Sequence, residues 1–472
     1  MNEVRTYLSF TLPIDPAKIQ TIPDMDLSYA LAATLVEWDS DKQLTAGLAD
    51  SWRVIAPQVY RFTLKKNARW SDGKPVTAQQ VKASLERGMA AHPEDLKSLQ
   101  QMLIAIECPS ELEIDFKTKG PAQESGLPGK LTEPNFGVLK VTSDKNTDLS
   151  ISSGPFALSP ASSHKELQLT KNQYWYRADK EMPDQVLIRK PPDGVDLQTI
   201  LFNDPWPNLI ETSSMISADL LTRYESQKFA IWKRPLDKVF YIQIGKQNAG
   251  NEGRTLLRYL RAYLNPSDLM TGLSGLTPAT QMFPRGYQLF EASLPDTKIK
   301  DSLPAPFDKK PIEIVFSPQR VSTTLQENIR RAIVKATGVE PRFTSIALED
   351  VGKVKKKGNF DFYIGTVGLA DPDPEGVMSF YLEGNAPIIM PNGNNFLDQL
   401  NLARKEADKN KRLIKMRRIL NDAIAQGYVL PLFHLSTIGI GRPELDFSRV
   451  PISDESVTLC KIILRRVPQV SR

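Results

Sequence analysis

The sequence predicts an α/β protein of two lobes, and three observations support that prediction. Its 472 residues exceed the roughly 100–200 residues that one domain usually holds. Strand-like runs alternate with helix-like runs, and several strands come in pairs, which is typical of mixed sheets. The chain leaves a first lobe near residue 246, at the polar break "QNAGNEG", and returns near residue 434. We therefore expect residues 1–246 and 435–472 in one lobe and residues 247–434 in the other, as in a hinged clamp with a cleft.

Three elements are predicted at the start of the first lobe. The run "TYLSFTL" alternates as a strand does and ends before Pro13. The run "DMDLSYALAATLVEW" places Leu27, Ala30, Leu31 and Leu35 on one helical face. The run "QVYRFTLKK" alternates again, which predicts a half-buried strand.

The stretch "RWSDGKPVTAQQV" that follows predicts a tight turn and then a helix start. Asp72–Gly73 is a turn dipeptide. Thr77 is placed to cap the helix, and Gln80, three residues later, completes a capping box. Val76 and Val81 occupy the two positions of a hydrophobic staple. Because these roles are local, we interpret the stretch as scaffold and not as part of a ligand site.

The second lobe shows a strand–helix–strand rhythm. The strand "PIEIVFS" precedes a helix with Leu325, Ile329 and Ile333 in register and Gly338 at its end. The strands "EPRFTSI" and "FDFYIGTVG" follow, which predicts a parallel pair joined by a crossover helix. Further upstream, Asn265 is placed to cap a short helix that begins with a proline.

Composition and charge exclude several classes of protein. The chain is 41% hydrophobic and 24% charged, and no apolar run approaches the roughly 18–20 residues of a membrane span. The net charge of +5 is spread over the chain, so we expect no nucleic-acid partner. We interpret the basic runs Lys353–Lys357 and Lys409–Arg418 as solvated surface in preference to polyanion sites. The start "MNEVRTYLSF" lacks a secretory signal, which is compatible with a cytosolic protein or with the mature form of an exported one.

The cysteines and histidines argue against metal and nucleophilic chemistry. Cys108 and Cys460 could form a disulfide or stay free, and we favour free, buried thiols. No two histidines share a metal-ligand spacing, so we expect neither a metal site nor a cofactor. No Ser-His-Asp arrangement, P-loop or convincing dinucleotide motif is present, so we do not expect an enzyme. The histidines are His92, His164 and His434, and we interpret His434 as a packed side chain on the return strand.

Several segments, taken in order, resemble one known family. The first pair is "LVEWDSDKQLTAGLADSWRV" and "YRFTLKKNARWSDGKPVTAQQVKASLERG". The others are "IDPAKIQTIP", "SGPFALSP" with "KNQYWYR", and "FDFYIGTVGLADPDPEGVMSFYLEGN". Together they resemble the bacterial extracellular solute-binding proteins of the peptide/nickel type, family 5, which are the ligand-capturing subunits of ABC importers. In the first pair the resemblance rests on Leu48, Ala49, Ser51, Trp52, Trp70, Ser71, Asp72, Gly73, Pro75, Val76, Thr77 and Ala78.

That resemblance implies a fold and a function. The fold is the two-lobed periplasmic-binding-protein, or Venus-flytrap, fold of the large class, with an extra subdomain in the first lobe at about residues 40–155. The function is capture of a short peptide or peptide-like solute between the lobes and delivery to an ABC permease. We then expect a monomer in the periplasm or at the cell surface, in a mature form without its signal peptide.

The resemblance also implies which residues contact the ligand. In peptide-binding members a first-lobe strand pairs with the peptide backbone, and the matching segment is Gln20, Thr21 and Ile22. A carboxylate after a second-lobe strand receives the α-ammonium group of the peptide, and by position this is Asp371. Asp373 is the alternative, because the spacing in "ADPDP" is one residue shorter than in the family.

Two further positions complete the predicted site. Asn385 follows the same loop and is placed to line the cleft. Peptide-binding members often carry a tryptophan where this chain has Gly368. The pocket is therefore either wider at that point or filled by another aromatic side chain such as Tyr381.

Departures from the family pattern keep other functions open. The usual helix pair is degenerate, as "LLRYLRAYLNPSDL", and "SSGP" replaces the usual glycine-rich turn. The same fold could bind a metal complex, haem or an oligosaccharide, or could have lost its ligand and act as a scaffold or sensor. A regulator with this clamp would need a DNA-binding domain before it. Because the clamp pattern starts within about the first 15 residues, we do not expect one.

Overall fold

A computed structural model of the chain describes most of its residues. They are residues 2–10, 12–19, 22–39, 43–91, 97–143, 146–192, 195, 197–212, 216–246, 250–283, 311–318, 320–347, 350–368, 374–383, 387–389, 395–406, 408–450 and 459–464. In this part of the chain, no helix is long and apolar enough to cross a membrane.

The chain forms two compact units. The first contains Met1–Glu211, Lys228–Trp232 and Gly439–Arg472, and the second contains Thr212–Gln227 and Lys233–Ile438. The lobe boundaries near residues 246 and 434, where the hinge is expected, stay a prediction.

The first unit contains a mixed sheet, an antiparallel sheet and short two-stranded pairs. The strands before residue 213 are β1 (Glu3–Tyr7), β2 (Val36–Trp38), β3 (Leu44–Ala46), β4 (Ala49–Ala56), β5 (Val59–Leu64), β6 (Leu103–Glu107), β7 (Glu113–Thr118), β8 (Leu139–Val141), β9 (Thr147–Ser152), β10 (Phe156–Leu158), β11 (Glu166–Lys171), β12 (Gln185–Arg189) and β13 (Leu209–Thr212). The mixed sheet has the order β10-β11-β12-β1-β13, with β1 parallel to β12. The antiparallel sheet has the order β4-β5-β7-β6, and the pairs are β2-β3 and β8-β9.

The helices of this part of the chain are mostly short. They are α1 (Ile22–Leu31), α2 (Ala78–Ala91), α3 (Lys97–Met102), α4 (Leu127–Lys130) and α5 (Ile200–Asn203).

Strand β5 shows why the antiparallel sheet forms where it does. Tyr60, Phe62 and Leu64 are buried while the residues between them are half-buried, which confirms the predicted alternation. Phe62 packs edge-on against Phe116 of β7, with ring centroids 5.2 Å apart. One face of β5 therefore lies on an apolar core that also includes the fully buried Trp70.

The second unit is a sheet flanked by helices. Its strands include β14 (Ala230–Ile244), β15 (Leu276–Pro278), β16 (Glu313–Phe316), β17 (Arg342–Ser345), β18 (Phe362–Gly368) and β19 (Val429–Gly441), of which β14 begins and β19 ends in the first unit. Its helices include α6 (Ala218–Ser226), α7 (Asn251–Arg261), α8 (Pro266–Leu269), α9 (Thr323–Thr337), α10 (Val351–Lys357), α11 (Pro374–Leu382), α12 (Phe396–Arg404) and α13 (Lys409–Ala425). Strand β16 lies between β17 and β18 and is parallel to both, and β14 is antiparallel to β18. The predicted parallel pair with a crossover helix is thus confirmed as β16-α9-β17.

Local sequence signals fix the ends of the helices in this unit. Ser322 caps α9 by accepting a hydrogen bond from the backbone N–H of Leu325 at 3.3 Å. Gly338 ends α9 in the left-handed conformation, at φ 68°, as predicted. Asn265 caps α8 by accepting from the N–H of Ser267, which confirms the predicted cap.

The chain ends with a short pair of strands, β20 (Leu445–Asp446) and β21 (Ile463–Leu464). Cys460 lies just before β21 and is buried, whereas Cys108 is half-buried. The two cysteines are not joined in a disulfide. The preference against a disulfide is therefore confirmed, but burial holds for Cys460 alone.

Candidate functional site

The structure covers only part of the predicted ligand site. Ile22 is the first residue of α1, so the extended strand expected at this position is not observed there. Proline is tolerated in the first turn of a helix, and the residues after Pro23 continue the helix to Leu31. Contact between Ile22 and a ligand stays a prediction. Five predicted residues lie outside the described residues: Gln20, Thr21, Asp371, Asp373 and Asn385.

Gly368 is the exposed last residue of β18, directly before the predicted ligand loop. It pairs in register with Lys238 of β14, whose side chain is 4% exposed. The lysine Cγ and Cε lie 3.4 and 3.5 Å from the position that a Cβ of residue 368 would occupy. The space over Gly368 is thus occupied by the stem of Lys238. Tyr381, the aromatic expected there as one alternative, is fully buried, and its hydroxyl donates to the carbonyl of Met282 at 2.6 Å.

The ring of Tyr363 lies along β18 over a second glycine. A Cβ at Gly365 would lie 2.7 Å from the Tyr363 hydroxyl, so only glycine leaves room for the ring in this position. The hydroxyl is buried, and Arg320 is its polar neighbour. Burial raises the pKa of Tyr363, and the positive charge of Arg320 acts against that rise.

Two cations lie near this tyrosine. The Nζ of Lys355 in α10 is 5.4 Å from the centroid of the Tyr363 ring, within the range of a cation–π contact. Burial, aided by the charge of Arg320, lowers the pKa of Lys355 to about 7. Arg320 Nη1 donates to the carbonyl of Thr366 at 3.2 Å. In the described part of the chain, no carboxylate forms an ion pair with Lys355, Arg320 or Lys238.

These groups do not all lie at one end of the sheet. Tyr363 is the second residue of β18 and packs with α10 against one face, whereas Lys238 and Gly368 pair at the carboxyl end of β18. Strands β16, β17 and β18 are parallel, so their carboxyl ends point to the same side. Ser317 follows β16 directly, and its buried Oγ also lacks a partner among the described residues. Ligands of open α/β sheets bind outside the carboxyl ends of the strands. We call the set at these carboxyl ends the strand-end cluster: Lys238, Ser317, Arg320 and Gly368.

Sequence reasoning named only Gly368 from this cluster. The run Lys353–Lys357 was interpreted as solvated surface, and that is wrong for Lys355, which is 6% exposed. Lys353 in the same run keeps a side chain that is 79% exposed. The sequence does carry a signal for this burial. Lys355 follows Val351 by four residues and Val354 by one, so it lies on the same side of the helix as these two partly buried valines.

The capping box and the hydrophobic staple predicted for "RWSDGKPVTAQQV" are confirmed. Gln80 Oε1 accepts hydrogen bonds from the N–H of Thr77 at 3.0 Å and from Trp70 Nε1 at 2.9 Å. The N–H of Gln80 in turn donates to Thr77 Oγ1 at 3.4 Å, which closes the predicted capping box. Both staple valines, Val76 and Val81, are buried.

The "SSGP" and "KNQYWY" segments hold α1 in place. A Cβ at Gly154 would lie 2.7 Å from the backbone N of Ala32, so only glycine allows this approach. Asn172 Nδ2 donates to the carbonyl of Gly154 at 2.9 Å, and its Oδ1 accepts from the N–H of Tyr174.

His434 is a buried residue of β19, paired in register with Thr277 of β15. Among the described residues, no group of three side chains is arranged to hold a metal ion.

Comparison with known proteins agrees with this geometry. The family model "Bacterial extracellular solute-binding proteins, family 5 Middle" matches residues 43–198, which include the capping box, Gly154 and Asn172. That match covers about a third of the chain, which is similar there to the family 5 bacterial extracellular solute-binding proteins. The residues that carry this similarity are the ones that build the first unit.

Two curated relatives match different lengths of the chain. The periplasmic oligopeptide-binding protein OppA of Escherichia coli is 38% identical over 86 residues, which are 18% of this chain and 16% of OppA. The HTH-type transcriptional regulator SgrR of Pectobacterium atrosepticum is 22% identical over 323 residues, which are 66% of this chain and 52% of SgrR. The matches thus span well under two thirds of either relative.

A solved structure confirms the fold of the chain over nearly its whole length. The crystal structure of NikA from Brucella suis in complex with Fe(III)-EDTA superposes with a TM-score of 0.81 at 17% identity. The superposition covers 98% of this chain and 100% of NikA. The predicted α/β fold of the periplasmic binding proteins is therefore confirmed.

Proposed function

We propose that the protein captures a short peptide or peptide-like solute and delivers it to the membrane permease of an ABC importer. The observation that carries this proposal is the strand-end cluster, where buried polar groups without partners among the described residues precede the "ADPDP" loop in sequence. Unpaired buried donors are costly, so their retention favours a bound partner. The similarity to family 5 and the match to the oligopeptide-binding protein of Escherichia coli support the same function.

The proposed contacts divide between the two ends of the peptide. Asp371 receives the α-ammonium group, with Asp373 as the alternative acceptor. A charge-assisted hydrogen bond of this kind is worth roughly 1.5–3 kcal/mol. Arg320 receives an anionic group such as the peptide carboxylate, because it is a cation that lacks a carboxylate partner in the described part of the chain.

The remaining proposed contacts are to the peptide backbone and the pocket wall. Gln20, Thr21 and Ile22 contact the backbone of the solute, and Asn385 lines the pocket. The protein acts as a monomer in the periplasm or at the cell surface, binds no nucleic acid and performs no catalysis. The periplasmic oligopeptide-binding protein OppA of Escherichia coli, named above, supports that location.

Two alternatives have a specific observation behind them. NikA of Brucella suis was solved with Fe(III)-EDTA, and the cationic strand-end cluster could likewise hold an anionic metal chelate. The similarity to SgrR favours instead a sensor or scaffold that has lost its transport role. Each alternative predicts a different ligand response.

A thermal-shift screen tests the proposal. The probes are di-, tri- and pentapeptides, Fe(III)-EDTA, haem and an oligosaccharide, each at fixed excess. We expect peptides to raise the melting temperature by several degrees, because a ligand that binds only the folded state stabilises it. A shift with Fe(III)-EDTA alone supports the chelate alternative, and no shift with any probe supports the sensor or scaffold. Asp371→Ala should weaken peptide binding by about 10- to 100-fold, and the same loss in Asp373→Ala instead would identify Asp373 as the acceptor.

A further inference from the structure

Lys238 is a buried cation whose partner is missing from the described residues. Its side chain is 4% exposed, and its Nζ is buried without a hydrogen-bond partner there. Burying an ammonium group without a counter-charge is strongly unfavourable, and the penalty is relieved when an anion pairs with it. An anionic group is therefore expected beside Nζ in the functional state.

The lysine and the glycine opposite it are matched in shape. The Cγ, Cδ and Cε atoms of Lys238 lie 3.4, 3.9 and 3.5 Å from the Cβ position of residue 368. A large side chain at residue 368 would displace this stem. The pair therefore replaces an apolar aromatic position with a cation at the exposed end of β18.

The position of the pair relates it to the amino end of the proposed solute. Asp371 follows Gly368 by three residues, so their Cα atoms are separated by at most about 11 Å. If Asp371 holds the α-ammonium group, as the proposed function states, an anion paired with Lys238 lies within one or two residues of the amino end of the peptide.

We propose that Lys238 binds a carboxylate near the amino end of the solute and makes the protein selective for peptides that begin with an acidic residue. This inference rests on the proposed function. The competing explanation is an ion pair of Lys238 with a carboxylate of the chain itself, Asp371 in particular. The two explanations predict opposite results for the same variant.

The first experiment compares two peptides that differ by one charge, Glu-Ala-Ala and Gln-Ala-Ala, by isothermal titration calorimetry. The wild type should bind the acidic peptide at least tenfold more tightly. Lys238→Met keeps the stem and removes the charge, so the preference should fall to within about twofold. Lys353→Met, an exposed site, removes one charge equally and should keep the preference. An equal preference in wild type and Lys238→Met would overturn the proposal.

The second experiment uses the ligand-free protein and does not depend on peptide binding. Melting temperatures are measured in sodium chloride and in sodium succinate at equal ionic strength. Succinate should raise the melting temperature of the wild type by two degrees or more and leave that of Lys238→Met unchanged. Equal shifts in both proteins would contradict a carboxylate site at Lys238. A second result would also contradict the proposal. If Lys238→Met and Asp371→Asn each lower the stability by the same amount, and the double variant is no less stable than either, the two residues form an ion pair within the chain.

Failure of the proposed function gives a separate result. If no peptide binds while the succinate response still requires Lys238, the carboxylate site stands and the peptide is the wrong solute. If peptides bind with no preference for the acidic one, the function stands and the inference about Lys238 is wrong.

Discussion

The stem of Lys238 lies across Gly368, with its Cγ 3.4 Å from the position that a Cβ at residue 368 would occupy. The two residues are directly paired between β14 and β18. At 3.4 Å a methyl group makes an ordinary contact, whereas a larger side chain at residue 368 would have to move the lysine. This contact explains how the chain does without the aromatic side chain expected of a peptide-binding relative.

Substitution of Gly368 should therefore depend on size. Gly368→Ala should change the free energy of unfolding by no more than about 0.5 kcal/mol, because the methyl group fits beside the stem. Gly368→Trp should destabilise the protein by about 1–3 kcal/mol through overpacking. Urea denaturation of both variants checks this. If both variants had the stability of the wild type, Lys238 would not occupy the space.

Lys355 should make the stability of the protein depend on pH. Its pKa is about 7 in the folded chain against an ordinary value of 10.5, so between these values the unfolded chain holds the additional proton. Stability contributed by this group therefore rises as the pH rises from about 7 to 10.5, by on the order of 4 kcal/mol. Lys355→Met removes the titrating group. The free energy of unfolding of the variant, relative to that of the wild type, should therefore be higher at pH 6.5 than at pH 10.

Lys353→Met is the control for that measurement, because Lys353 lies in the same helix with its side chain 79% exposed. Urea unfolding at the two pH values should show less than about 0.5 kcal/mol of change for the control. A parallel pH dependence in wild type and Lys355→Met would mean that Lys355 does not titrate in this range.

Gln80 should contribute to stability without affecting the ligand. Gln80→Met keeps the size of the side chain but leaves Trp70 Nε1 and the N–H of Thr77 without their acceptor. Loss of an acceptor for a buried donor costs about 1–3 kcal/mol. Guanidinium unfolding should show this loss, and calorimetry should show unchanged peptide affinity. The exposed neighbour Gln79→Met is the control, and equal stability of the two variants would refute the capping role.

Gly154 should tolerate no side chain. A Cβ there would lie 2.7 Å from the backbone N of Ala32 and from the carbonyl carbon of Leu31, and neither backbone atom can rotate away. We expect Gly154→Ala to lower the free energy of unfolding by about 1–3 kcal/mol. Gly120→Ala, where nothing lies within 4 Å of the added Cβ, should be nearly neutral. Indistinguishable melting curves for the two variants would contradict this account of the "SSGP" segment.

Features set by local chemistry could be predicted from the sequence. The alternation of β5, the capping box at Thr77 and Gln80, and the left-handed glycine that ends α9 each depend on residues a few positions apart. The parallel β16-α9-β17 unit followed from the order of its elements and the handedness of such connections. The family resemblance extended these local signals to the whole fold.

The burial of Lys238 and Lys355 could not be predicted in the same way. Lys238 begins a predicted strand, and Lys355 lies in a run of basic residues, so both have the pattern of surface lysines. Their burial depends on side chains that are distant in sequence, as the contact of Lys355 with Tyr363 shows. The sequence shows that residue 368 is a glycine where an aromatic residue is expected. It does not indicate that the side chain of Lys238 fills the space over this glycine.

The measurement that tests the central claim most directly is calorimetric titration of the wild type with trialanine and with N-acetyl-trialanine. Acetylation removes the α-ammonium charge and leaves the backbone and the carboxylate in place. If the protein captures peptides by their amino end beside β18, trialanine binds and the acetylated peptide binds at least tenfold more weakly. Equal affinity for the two peptides, or no binding of either, would contradict the account.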